Sequence, residues 1–120
     1  MDNNDFLPQI PAMANELPFA ITVCDTNAVI LYMNERSKST FQKYGGDEII
    51  GTNLFLYHHG PSALKLQEIF EKQSKNAYTI EKKGIKKMIY QSPWYKAGIF
   101  AGLIELSLEI PMEMAHFVRD

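Results

Sequence analysis

A single cysteine, Cys24, stands among the 120 residues, so no disulfide can close within the chain. A lone thiol fits a reducing compartment, where small domains are held by their cores and not by covalent staples. No apolar run approaches the roughly 20 residues that a helix needs to cross a bilayer, and no basic and then hydrophobic leader opens the chain. The cytoplasm is therefore the expected location. Excess charge of one sign is also missing: 12 Lys and Arg against 14 Asp and Glu leave a net charge of −2, which gives no broad attraction to nucleic acid or to an anionic membrane.

The usual signatures of catalysis are absent too. Ser62 has no nucleophile-elbow residues around it, and Gly45, Gly46 and Gly51 are not followed by the lysine of a phosphate-binding loop. No CxxC pair or HxxxH spacing supplies a ready set of metal ligands. Glu105 and Glu109 sit at an even strand spacing, so both are expected to face solvent, and acid–base chemistry there would need a cleft as well. The expectation is a chain that is not an enzyme and has no metal site.

What is present is a folding pattern. Hydrophobic residues make up 46 % of the chain and charged ones 22 %, a balance that favours one folded domain over disorder. Residues 1–17 carry Phe6, Leu7, Ile10, Met13 and Leu17, which suggests a docking segment or cap, helical or extended, with dimerisation as the sharper alternative. FAITVC at 19–24 and AVILYM at 28–33 read as a hairpin around DTNA, where Asp25 and Asn27 can bond nearby backbone groups. Asn34 is placed to cap a modest helix over ERSKSTFQKY, which the glycine pair 45–46 ends. One-turn helices follow, with Ile49, Ile50, Leu54 and Phe55 expected in the core.

Pro61 opens the strongest predicted helix, 61–74, because proline tolerates the first helical position. Ala63, Leu66, Ile69 and Phe70 form its apolar stripe. Three antiparallel strands are then expected: NAYTIEKKG, IKKMIYQSPWY and IFAGLIELSLEI. In the last of them Ile104, Leu106, Leu108 and Ile110 alternate with Glu105, Ser107 and Glu109, which predicts one buried and one more polar side. The lysines at 82, 83, 86 and 87 mark a solvated turn between the first two.

The run PFAITVCDTNAVILYMNERSKSTF, then DEIIGTNLF, then GIFAGLIELSLEI, in that order, resembles a PAS domain, the small sensory module of signalling proteins. The resemblance covers residues 18–110 and leaves 111–120 as a C-terminal tail. It implies an α+β fold: a five-stranded antiparallel sheet in the order 2-1-5-4-3 with helices packed across one face. It also implies a sensory signal-transduction role, in which a small organic molecule bound between sheet and central helices is relayed through packing or dimer geometry to a signalling output protein or domain. A ligand-free interaction or dimerisation module, with a second copy of the chain as its partner, is the alternative the family equally contains.

A pocket of that family would be lined by Phe41, Leu54, Phe55, Leu66, Ile69 and Phe70, with Tyr90, Gln91 and Trp94 approaching from the later strands. The same rings also suffice to fill an ordinary core. His58 stands at the hinge before the long helix, where it can visit such a pocket. The adjacent His58 and His59 are expected to point in different directions and to serve local structure. The resemblance assigns no cofactor: the reactive-cysteine motif of the flavin branch is absent, and the histidines lie outside the helix body that carries the axial ligand in haem-binding relatives.

Overall fold

The computed structural model describes residues 1–120. The hairpin is formed by β1 (Ala20–Cys24) and β2 (Ile30–Met33). Asp25 turns it as its chemistry predicts: one carboxylate oxygen accepts from the amides of Asn27 at 2.9 Å and Val29 at 3.0 Å. The sheet is completed by β3 (Asn76–Lys82), β4 (Ile85–Lys96) and β5 (Ile99–Ile110). Its strand order is β2-β1-β5-β4-β3, with every pairing antiparallel. Both the fold class and the order match the expectation.

At the N-terminus, α1 (Asn3–Phe6), a 3-10 turn (Leu7–Gln9) and α2 (Ile10–Glu16) make residues 3–16 helical, so of the two expected forms the segment takes the helical one. Phe6, Leu7, Ile10 and Met13 remain substantially exposed along this segment. It is tethered through Asn34, which is fully buried. The Asn34 side-chain oxygen accepts from the amides of Ser37 and Ile21, capping α3 (Glu35–Thr40), while its amide nitrogen donates to the carbonyls of Ala14 and Phe19. One side chain thus joins α2, β1 and α3. Asn34→Ala removes all four bonds and is expected to lower stability by about 2 kcal/mol, a helix cap plus stranded backbone groups; urea unfolding measures it.

α3 is shorter than the 35–44 pattern suggested. Thr40 turns its hydroxyl back to the Arg36 carbonyl, and a 3-10 turn (Gln42–Tyr44) follows, ended by Gly45 at φ 111°. Two further 3-10 turns, Gly46–Ile49 and Leu54–Tyr57, lead to α4 (Pro61–Lys72), which stops two residues before the expected 74 where Gln73 adopts a left-handed conformation. Leu66 and Ile69 of α4 are buried against Leu54, Ile49, Ile30, Met33, Cys24 and Leu103, and Phe41, Phe55, Tyr57 and Phe70 pack around that cluster. Ile50 departs from expectation: it is 39 % exposed, because the bend that buries Ile49 points its neighbour outward.

β5 holds the larger correction. Glu105 pairs with Thr22 of β1 and Gln91 of β4, and Asn76 of β3 pairs with Gln91. Thr22 and Gln91 are buried, and Thr22 meets Ser37 of α3. Alternation then puts Glu105 and Ser107 on the helix-covered side with Leu103, and Ile104, Leu106, Leu108 and Ile110 on the opposite side, half-buried. The helices therefore cover Glu105 and Ser107 of β5, the reverse of the simplest reading of its alternation, while Glu109 beyond them is exposed as expected.

Candidate functional site

Asn76, Gln91, Glu105 and Thr22 form one cross-strand row on the helix-covered side of the sheet. The Asn76 amide donates to Gln91 Oε1 at 2.9 Å, and the Gln91 amide donates to Glu105 Oε2 at 2.7 Å. From the other side His58 Nε2 lies 3.7 Å from the same carboxylate oxygen, with the side chains of both residues only 12 % and 11 % exposed. His58 Nδ1 sits 3.1 Å from the Leu54 carbonyl. A carbonyl only accepts, so Nδ1 carries a proton, and the second nitrogen must also be protonated for the ring to form an ion pair with Glu105. The chain of donors thus converges on one carboxylate.

Local structure explains how His58 arrives there. The turn Leu54–Tyr57 delivers it in extended conformation just before α4. His59, next along an extended backbone, faces solvent. The adjacent histidines separate as expected: one is drawn into the polar row and the other lies outside it.

Burial opposes charge on His58 and is the largest single influence. The Glu105 hydrogen bond and negative charge, with the Leu54 carbonyl, together outweigh it and raise the imidazole above its ordinary value of 6.5. A raised folded value means that this contribution to stability is fully present below the unfolded value and is lost as pH rises through the folded one. Wild-type protein is therefore expected to exceed His58→Gln in urea midpoint at about pH 5.5 by more than at about pH 8.5; equal differences at the two values would contradict the pairing. Tyr78 on β3 is raised as well, by burial first and then by the charge of Glu105.

In front of this row lies a cleft of about 340 Å³ lined by Pro61, Ser62 and Lys65 from the first turns of α4, Asn76 and Tyr78 from β3, and Gln91 from β4. Its rim combines an aromatic ring, a lysine stem and hydroxyls, and its floor is the amide pair that leads to Glu105. A smaller cleft of about 210 Å³ at the β3–β4 hairpin is lined by Ile80, Ile85, three lysines and Glu109.

The sequence-predicted lining residues divide into three groups. Leu54, Leu66 and Ile69 are fully buried in the core, with Phe41, Phe55 and Phe70 packed against them. Gln91 and His58 belong to the polar row. Tyr90 and Trp94 do not join them: each is an odd number of residues from Gln91 along β4, so strand alternation turns both to the far side of the sheet. Trp94 is held there by its indole N–H, which donates to the Cys24 carbonyl at 3.0 Å.

Asn76, Tyr78 and Glu105 were not anticipated. The parity of β4 marks Gln91 alone as inward, because it shares a face with Ile89 and Pro93, all buried; it carries no mark for residues on β3 or β5. Cys24 is the small buried residue expected of it; burial pushes its thiol up to about 11, which disfavours the thiolate.

No family model and no curated protein sequence matches the chain. Solved structures do. The chain is 21 % identical to the PAS domain of a protein from Colwellia psychrerythraea, with a TM-score of 0.64, covering 88 % of this chain and 98 % of that one. A C-terminal domain from Streptococcus mutans matches at 20 % identity and TM-score 0.68, covering 86 % and 84 %. The PAS domain of an HTR-like protein from Haloarcula marismortui matches at 15 % identity and TM-score 0.64, covering 89 % and 93 %. The chain has the PAS fold.

Proposed function

We propose that this PAS-fold chain is a sensory signal-transduction domain whose input is a small organic molecule held in the cleft between the start of α4 and strands β3 and β4. The observation that carries the reading is the enclosed row Asn76–Gln91–Glu105–His58 behind that cleft. Core packing has no need of a carboxylate under the helices, since leucine at 105 would fill the same space without the desolvation of a charge. A few convergent polar groups at the end of a cleft are what orient a bound molecule.

Such a molecule touches α4 and β3–β4 together, so it favours whichever sheet–helix arrangement it contacts more strongly. Differential affinity of this kind is the minimum requirement for a relay. The output goes to a signalling protein or domain in the cytoplasm.

A second reading rests on a separate observation. The far face of the sheet carries Ile104, Leu106, Leu108, Met88 and Tyr90, half-buried, and the N-terminal segment presents Leu7, Ile10 and Met13. That apolar surface suits a ligand-free interaction or homodimerisation module.

Native mass spectrometry of protein purified from its original host decides between the two. A stoichiometric small molecule, released and identified, supports the cleft. Repeatedly ligand-free protein in stable dimers replaces it with the interaction module.

A further inference from the structure

We infer that the cleft selects small molecules bearing a protonated amine, which Glu105 receives. This rests on the cleft reading above and names the chemical class of its ligand. Three geometric facts support it. First, Glu105 Oε2 is occupied by Gln91 and His58, while Oε1 accepts no hydrogen bond from the protein. Second, that oxygen is not sealed, because the one enclosed side-chain polar atom lacking a partner is the Tyr32 hydroxyl. Third, no lysine or arginine reaches the carboxylate; its one counter-charge is an imidazole at 3.7 Å.

An enclosed carboxylate without a full cation is held at a desolvation cost that an incoming ammonium would offset. Asn76 and Gln91 cannot do so, because a neutral carboxamide brings a dipole and no charge. The cleft rim selects further. Lys65, 3.6 Å from Glu68, and the first turn of α4 both disfavour positive charge at the mouth. Glu105 lies behind the lining residue Gln91, so the cation must pass the rim and the edge of that amide to reach it, which favours a compact primary amine with an apolar body against Tyr78 and Pro61.

The groups that face the carboxylate are His58 from the turn before α4, Tyr78 from β3 and Cys24 from β1, with Lys65 of α4 at the cleft mouth. Of these, His58 alone changes charge near neutrality. A protonated His58 competes with the amine for Glu105, so amine affinity rises with pH until His58 has lost its proton.

Titration of the full chain with benzylamine, benzyl alcohol and benzoate, followed by amide and side-chain NMR shifts of Asn76, Gln91 and Glu105, tests this. Benzylamine is expected to bind best and to bind several-fold more tightly at about pH 8 than at about pH 6. Glu105→Gln is expected to weaken it about tenfold or more. Should that variant fail to fold, His58→Gln serves instead, expected to bind benzylamine with little change between the two pH values. Benzoate or benzyl alcohol binding as tightly as benzylamine, or an affinity that falls as pH rises, overturns the amine class and leaves the cleft standing. No shift at these residues with any probe, together with ligand-free protein from the native host, overturns both.

Discussion

Gly102→Ala is expected to destabilise the protein by about 4 kcal/mol or more, placing it among the exceptional single substitutions. Gly102 has φ +141°, and a Cβ there would fall on the Cys24 carbonyl oxygen and within 2.8 Å of the carbonyl carbons of Cys24 and Asp25. All three are backbone atoms, so no side-chain rotation relieves the overlap. The end of β1 would have to move away from β5 at the pair Cys24–Leu103. The same carbonyl accepts the Trp94 indole proton, so that bond is lost with it. Loss of amide dispersion in an NMR spectrum, or a collapse of the urea midpoint, is the readout; a midpoint close to that of wild type would show that β1 tolerates the shift.

Leu66→Ala is expected to cost about 3 kcal/mol, within the range for truncating a buried leucine, and to lower the thermal midpoint by on the order of 10 °C. Leu66 is 1 % exposed and packs in the cluster with Leu54, Ile69 and Leu103. Truncation therefore leaves a cavity between α4 and the sheet instead of opening a surface dimple. Leu64, two residues away on the same helix and 70 % exposed, is the control: Leu64→Ala should leave the melting curve nearly unchanged. Equal effects at the two positions would mean that the inward face of α4 has been misplaced.

Residues whose fate depends on local pattern were legible in advance. Asp25 forms its turn, Asn34 caps α3, Pro61 starts α4, and Leu66 and Ile69 lie inward, each for a reason contained within a few neighbouring residues. The strand order came from resemblance, since antiparallel alternation alone permits several arrangements. What escaped was orientation. A period of two has the same form whichever side the helices cover, so the alternation of β5 could not say that Glu105 lies inside; only its pairing with Thr22 and Gln91 does.

The candidate site was partly legible for the same reason. His58 and Gln91 were named, but Asn76 and Glu105 join them across strands that are far apart in sequence. Tyr90 and Gln91 could have been separated by parity alone, because neighbours on a strand do not share a face.

The row at Thr22, Glu105, Gln91 and Asn76 also has a mechanical consequence. It crosses four strands, three inter-strand spacings or about 14 Å, at right angles to the chain direction. Its side-chain links from Glu105 through Gln91 to Asn76 act as a transverse brace that is separate from the backbone ladder and ends on β3, an edge strand with one neighbour. Tightening or slackening that brace alters how far the edge curls relative to the sheet centre, so a contact at the cleft can change the twist of the whole sheet without breaking a single main-chain hydrogen bond.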